Sequence, residues 1–281
     1  MSGDSHAEID AAVAYIHRYL QEPLSLSQLA RYVAYSPYHF SRMFKERVGL
    51  SPQYYVSSLR LQRAKELLLY TQWSIRDIGL DVGQQSLGTF TTRFTQRVGV
   101  TPSSFRASSQ QADRGMETLR RLHDSQAWRL PSTSPQARIQ GVVQAVEYFE
   151  GIIFIGLFPK PIPEGLPLYG TVLPALGGFS FADVQPGTYF LMATSVSWNM
   201  ATADYVIPRT TLRTRSRVPI VVTHGATVPD QIVTLFPPRL DDPPILISLP
   251  LLMDRFLSRM RDAKTPSEVA PALSDNRYRN L

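Results

Sequence analysis

Two sets of side chains in the first hundred residues have the chemistry to hold a polyanion. Tyr38, His39, Ser41, Arg42, Lys45 and Arg47 fall in one short window. An arginine can bond guanine through O6 and N7 together, and an aromatic ring can pack on a thymine methyl or the sugar backbone. Arg42 and Tyr38 suit those two tasks. Lys45 and Arg47 suit phosphate, which fixes register and makes binding salt-dependent. His39 suits a phosphate contact or the filling of a helix start better than a metal. The second set is Ser86, Leu87, Gly88, Thr89, Thr91, Thr92, Arg93 and Arg97. Its hydroxyls can donate to phosphate or bases, and Leu87 can meet a thymine methyl. The plain alternative for each position is a solvated helix face.

The two sets belong to an internal repeat, offset by fifty. Phe40 and Phe44 match Phe90 and Phe94, Arg47-Val48-Gly49 matches Arg97-Val98-Gly99, Pro52 matches Pro102, and Tyr55 matches Phe105. Upstream, Leu26, Leu29, Ala30 and Val33 match Ile75, Ile78, Gly79 and Val82. Each copy reads as a short helix, a turn and a second helix. Ser25 caps the first helix, with Gln28 at the capping-box position. Ser36 caps the second, and Pro37 sits in the first turn, where a missing N–H costs nothing. Phe40, Phe44 and Val48 form a buried stripe at helical spacing. Gly49 ends the helix, because glycine tolerates the left-handed region. Ser74, Asp77, Gly99 and Thr101-Pro102 repeat the logic.

Between the copies, residues 52–70 contain no internal glycine or proline and are rich in strong helix formers. Nineteen residues make a rod of roughly 28 Å. That approaches the ~34 Å repeat of B-DNA, so one chain could place two recognition helices in successive major grooves.

These stretches, LSLSQLARYVAYSPYHFSRMFKERVGLSP, RLQRAKELL, IRDIGLDVG and FTTRFTQRVGVTPSSFR, resemble the DNA-binding domain of the AraC/XylS family of bacterial regulators. The resemblance covers about residues 7–107. It implies duplex DNA as partner, and that Tyr38, Ser41 and Arg42 fall where the family reads bases. It also implies action as an activator, with RNA polymerase as a further partner. The second unit departs from the family's pattern: Leu87 and Gly88 replace polar residues, Thr92 stands where an arginine is usual with Arg93 one position later, and Gln84 replaces an aromatic. The first unit is therefore expected to supply most of the sharp base discrimination.

Bulk properties agree. The chain has 281 residues and a formal net charge of +6, and a basic surplus suits a polyanionic partner. Residues 1–110 hold 12 basic and 8 acidic side chains, +4 of the total. The absence of cysteine excludes a disulfide framework, a thiol nucleophile and a thiolate zinc site. It also excludes alkyl-transfer repair chemistry, an enzymatic rival for such a DNA-binding module. The N-terminus lacks the pattern of a signal peptide, and no run of about 20 apolar residues occurs. A cytoplasmic protein without membrane contact is expected.

After residue 136 the pattern changes to short runs rich in β-branched and aromatic residues, broken by glycine and proline. Such runs read as strands of an antiparallel sandwich. Residues 177–195, GGFSFADVQPGTYFLMATS, resemble the closing half of a carboxypeptidase-regulatory-like (transthyretin-like) β-sandwich, with a tight turn at Pro186-Gly187 and an anchoring hydroxyl at Tyr189. A GyrI-like drug-binding effector domain ranks second, since its pattern is not visible. Leu249, Leu252, Met253, Phe256, Leu257 and Met260 recur at helical spacing. That helix is expected to pack on the sandwich or the linker, with a dimer contact as the alternative.

The expected fold class is multi-domain α + β. An all-α double helix-turn-helix domain spans 7–107 and a linker 108–136, with a short helix around Met116 to His123 and a PSTSP boundary. A β-sandwich sensory or interaction domain with a terminal helix spans 137–263, and a tail 264–281.

No catalytic pattern stands out. His6, His17, His39, His123 and His224 show no ligand spacing, and there is no GxSxG, P-loop or GxGxxG. No cofactor is called for. Asp241-Asp242 reads as a solvated pair. Arg213, Arg215 and Arg217 would share one strand face, either as an edge guard or as a seat for an anionic ligand or nucleic acid. The expected function is sequence-specific transcription regulation, by a monomer or a homodimer, with a small-molecule effector or a partner protein at the β domain. The alternatives are a ligand-independent regulator whose β domain only dimerises or binds a protein, and an enzyme with an unseen site.

Overall fold

The computed structural model describes residues 4–126, 128, 139–215, 217–224 and 228–262. The PSTSP run and the tail from 264 lie outside them. Helix α1 (Asp4–Arg18) precedes two copies of one design. In the first copy Ser25 Oγ accepts from Gln28 N and opens α2 (Leu26–Tyr32), and Ser36 Oγ accepts from His39 N and opens α3 (Pro37–Val48). Helix α4 (Pro52–Tyr70) follows, over the span its uninterrupted helix formers define. The second copy uses Ser74 to open α5 (Ile75–Asp81), Ser86 to open α6 (Leu87–Val98) and Thr101 to open α7 (Pro102–Arg106). Each cap satisfies a backbone donor that the first turn would leave orphaned.

The repeat is visible in the core. Phe40 and Phe44 have ring centroids 5.5 Å apart, and Phe44 and Tyr55 are also 5.5 Å apart. Phe90 and Phe94 stand at 5.7 Å, and Phe94 and Phe105 at 5.8 Å. All six rings are fully buried. Burying one such side chain contributes about 1.5–3 kcal/mol, so each copy carries its own aromatic nucleus.

The segment after α7 is more ordered than its polar composition suggests. Helix α8 (Ser108–Asp124) is longer than the short helix expected around Met116, and buries Ala112, Met116 and Leu119. Its apolar stripe meets the last helix, whose sequence position hid the pairing.

The strands are β1 (Ile139–Ala145), β2 (Gly151–Phe158), β3 (Tyr169–Leu173), β4 (Gly177–Phe181), β5 (Gly187–Ser197), β6 (Arg213–Thr214), β7 (Ile220–Val222) and β8 (Gln231–Phe236). A short α9 (Thr202–Val206) follows β5, and α10 (Leu249–Asp262) follows β8. The sequence suggests an antiparallel sandwich. The strands instead join one sheet in the order β3-β2-β5-β6-β8-β1-β4, with β7 also paired to β5. The β1–β8 pair is parallel. The two ends, β3 and β4, approach each other, so the sheet curls into a nearly closed barrel. The eleven-residue β5 explains this: one edge pairs β2 along its length, and the other takes β7 and then β6. The Pro186-Gly187 turn starts β5 as expected, and Tyr189 Oη donates to Gln185 O at 2.7 Å across it.

Every residue of β2 is buried, and its two faces serve different cores. Ile153, Ile155 and Leu157 line the inside of the curled sheet with Phe179, Phe181 and Leu235. Ile152 and Phe154 face the helices and join the same core as Phe44, Leu68 and Val98. The helical and sheet parts thus share one continuous hydrophobic interior. Helix α10 buries Leu249, Met253, Phe256 and Met260, largely against α8. The apolar face that might have served a dimer is occupied within the chain.

Candidate nucleic-acid interface

Helix α3 has one fixed face and one free face. Phe40, Phe44 and Val48 are buried, which turns Tyr38, Arg42 and Lys45 outward. Tyr38 is 82% exposed. Arg42 and Lys45 are exposed and hold no ion pair among the described residues. Ser41 is half-buried, and the His39 ring packs edge-on against Tyr35 at 4.6 Å. His39 N is already taken by the Ser36 cap.

Helix α6 presents a weaker surface. Phe90, Phe94 and Val98 are buried. Leu87, Gly88, Thr89 and Thr92 are exposed, and Thr91 is half-buried. Ser86 Oγ bonds both Thr89 N and Thr89 Oγ1. Arg93 is exposed, and its Nη1 donates to Gln84 Oε1 at 2.9 Å. Gln84, where an aromatic is usual in the family, thereby holds the arginine that the register displaces.

Two of the expected DNA contacts are placed otherwise. Arg97 is 8% exposed, and its Nε pairs with Glu164 Oε2 at 2.5 Å. Its Nη1 and Nη2 donate to Ser57 and Ser58, and its guanidinium lies 4.4 Å from the Tyr54 ring centroid. A side chain so enclosed has no free donor face for DNA. Arg47 is half-buried and bonds Asp10 at 3.1 Å and Asp241 at 3.5 Å. The sequence could not show this, because the partners of both arginines, Asp241 and Glu164, lie far along the chain. Glu164 follows Pro161 and Pro163 in a loop with no motif of its own.

The carboxylates of 241 and 242 also differ from expectation. Both are buried, not solvated. Asp241 lies 3.7 Å from Arg217 as well as reaching Arg47, and Asp242 lies 3.7 Å from Arg215. Strand β6 sits between β5 and β8, so Arg213 guards no edge. It is buried, with Nη2 donating to Pro208 O and Arg209 O, and burial pulls its pKa down to about 10.

Helix α4 is tied to the sheet part along its length. Tyr55 Oη donates to Leu240 O at 2.8 Å, and His17 Nε2 lies 3.0 Å from Tyr55 Oη and 3.1 Å from Leu240 O. Burial lowers the His17 pKa and raises that of Tyr55. Glu66 pairs with Arg209 and Arg63. Lys65 is wholly enclosed, donates to Ile245 O at 2.9 Å, and has its pKa drawn down to about 7 by burial.

Among the described residues, no group of His, Asp and Glu could hold a metal ion, and no helix is long and apolar enough to cross a membrane.

Comparison with known proteins finds similarity in this region. Residues 29–108 match a helix-turn-helix domain family. The HTH-type transcriptional regulator YobQ of Bacillus subtilis is 38% identical over 96 residues, 34% of this chain and 40% of that protein. The regulatory protein PocR of Salmonella typhimurium is 34% identical over 100 residues, 36% of this chain and 33% of that protein. A crystal structure of a transcriptional regulator with an AraC-type DNA-binding domain, from Chromobacterium violaceum, is 35% identical. It covers 38% of this chain and 95% of that one, with a TM-score of 0.36. The match thus spans well under half the length of YobQ or PocR. It falls on the repeated units, where the fixed faces, caps and exposed basic side chains have just been described: this chain carries a helix-turn-helix domain over residues 29–108.

Proposed function

We propose that this chain regulates transcription by binding a specific duplex sequence through α3 and α6, under control of its sheet domain. The observation that carries the reading is the free face of α3. Tyr38, Arg42 and Lys45 stand exposed on a helix whose orientation three buried residues fix. A bidentate arginine–guanine contact discriminates by about 1–3 kcal/mol, and the exposed guanidinium of Arg42 suits such a contact. Ser41 and His39 support it from the partly buried flank. On α6, Leu87, Gly88, Thr89, Thr91, Thr92 and Arg93 suit methyl groups, shape and backbone. The first unit then supplies the sharper readout. The family resemblance adds activation through RNA polymerase, and the contacts between sheet and helices support a sensory role for the sheet domain.

The test is selection of bound sequences from a random duplex library with the full chain and with Arg42→Ala. The expected result is one asymmetric site, with one element lost in the variant. No enriched sequence at moderate salt, where non-specific binding is weak, overturns the reading.

A further inference from the structure

We propose that the cavity between the β2–β5–β6 face and the 240–249 segment binds a small apolar carboxylic acid, and that its occupancy sets how firmly both helix-turn-helix units are held. The proposal rests on the regulator reading for its second half only.

The cavity has two unlike walls. Phe154 and Phe158 of β2, Met192 of β5, and Ile245, Ile247 and Leu252 make one wall apolar. Arg213, Arg215, Arg217 and Asp242 line the other. Apolar walls with a few convergent polar groups are the usual form of a small-molecule site.

The charge at the polar end does not balance. Arg213 hydrogen-bonds only to carbonyls and the Thr211 hydroxyl. Lys65, which acts electrostatically on Arg213, hydrogen-bonds only to Ile245 O. The carboxylate that acts on Lys65, Glu66, is already held by Arg209 and Arg63. Asp241 and Asp242 therefore answer the three arginines 213, 215 and 217, and Asp241 is shared with Arg47 as well. The Arg215 Nε is shut off from water and makes no hydrogen bond. Arg215 keeps Asp242 at 3.7 Å and a bond from Nη2 to Pro237 O, but a buried donor left without a hydrogen bond is costly. One added monoanion restores the balance, and a carboxylate matches the planar fork of arginine. The apolar wall selects an acid with a hydrocarbon body over a hydrated inorganic anion.

The segment that roofs this cavity also holds both DNA-reading units. Asp241 bonds Arg47, and the Arg217 side chain packs against the helix-ending Gly49. Ser248 N donates to Val98 O, and Ile247 and Leu251 pack against Gly99, the equivalent glycine of the second unit. Ile245 O receives Lys65 of α4, which lies between the units. A ligand that orders residues 240–249 therefore acts at matched points of both copies. Differential contact of this kind is what couples two sites.

The experiment is calorimetric titration of the full chain with phenylacetate and hexanoate, beside phenylacetamide and hexanamide as uncharged matches. Each is repeated on Arg215→Gln, on Arg215→Lys and on Met192→Trp, which fills the cavity without changing charge. The acids are expected to bind with Kd below about 10 mM and the amides roughly tenfold more weakly or not at all. Arg215→Gln and Met192→Trp should lose binding, and Arg215→Lys should keep part of it. Equal binding of acids and amides, unaltered affinity in both Gln and Trp variants, or no binding of either acid overturns the site. Affinity for a selected duplex is then measured with and without the acid, and a change of about threefold or more is expected. Binding of the acid without any such change overturns the coupling. Failure to select a duplex at all sinks the regulator reading, while the calorimetry still decides the site.

Discussion

Arg97 separates the two readings of the repeated Arg-Val-Gly, as a phosphate contact or as an internal tie. In the structure it is a tie, so Arg97→Met should cost stability and leave the DNA-binding electrostatics alone. Both partners of the Arg97–Glu164 pair are about nine-tenths buried. Removing one member of such a pair typically costs about 3–5 kcal/mol. Glu164 keeps two donors after the change, Lys160 Nζ at 3.1 Å and Tyr54 Oη. The cost should therefore fall near the low end, about 3 kcal/mol. At about 2–4 °C per kcal/mol for a domain of 150–250 residues, the melting temperature should drop by roughly 6–12 °C. Thermal unfolding of the single variants and of Arg97→Met with Glu164→Gln gives the coupling energy, which should exceed about 1 kcal/mol. The second assay is the salt dependence of duplex affinity, measured well below the melting midpoint. A lost phosphate contact lowers the slope by about 0.9. Lys45→Ala should show that loss and Arg97→Met should not. A slope reduced by about one in Arg97→Met, with an unmoved melting temperature, would refute the reasoning.

Two further changes test a buried charge and a strained turn. Burial puts the Lys65 pKa at about 7, below the unfolded value. The native chain thus releases a proton above that pH that the unfolded chain keeps to about 10.4. Stability should rise from pH 7 toward 10 with a slope of up to ~1.4 kcal/mol per pH unit. Lys65→Met should flatten the curve in denaturant melts across that window, and an unchanged slope sinks the assignment. Ala34 adopts φ 57, whereas the matching turn residue of the second unit is Gly83 at φ 77. Both turns close with the same bonds, Tyr35 N to Ala30 O and Gln84 N to Gly79 O. Ala34→Gly should stabilise the chain by up to about 1 kcal/mol, and a lower melting temperature refutes the strain.

The helical third was legible because its rules are local. Ser25, Ser36, Ser74, Ser86 and Thr101 cap where capping chemistry places them, and Gly49 and Gly99 end α3 and α6 in the left-handed region. The sheet was legible as strands but not as a pattern of partners. The short β6 and the parallel β1–β8 pair depend on contacts between residues up to ninety apart, such as Gly141 and Gln231. The arginine row at 213, 215 and 217 was visible as a shared face, and the structure does bring all three to one cavity. Its partners Asp241 and Asp242 looked solvated in a proline-rich stretch, because nothing local says that Arg215 and Arg217, which lie beyond the two-residue β6, will reach them.

The repeat itself separates what the fold needs from what the readout uses. At an offset of fifty, the matched positions are the stripe Phe40/Phe90, Phe44/Phe94, Val48/Val98, the ties Arg47/Arg97 and the glycine caps Gly49/Gly99. All are buried, ion-paired or set by backbone conformation. The unmatched positions include the exposed Tyr38 against Gly88 and Arg42 against Thr92, and the pairs His39 against Thr89 and Lys45 against Thr95, each with one exposed and one half-buried member. Packing constraints act equally on both copies, because each must bury the same stripe and dock on the same sheet domain. Nothing in the fold forces the free faces to agree. Two copies alike inside and unlike outside suit a reader of an asymmetric site, with a basic first element and a nearly uncharged second. Transferring Arg42 and Lys45 to their matched positions, as Thr92→Arg with Thr95→Lys, should therefore change the element selected from a random duplex library without touching a buried contact of Phe90 or Phe94, and an unchanged selected sequence refutes the assignment.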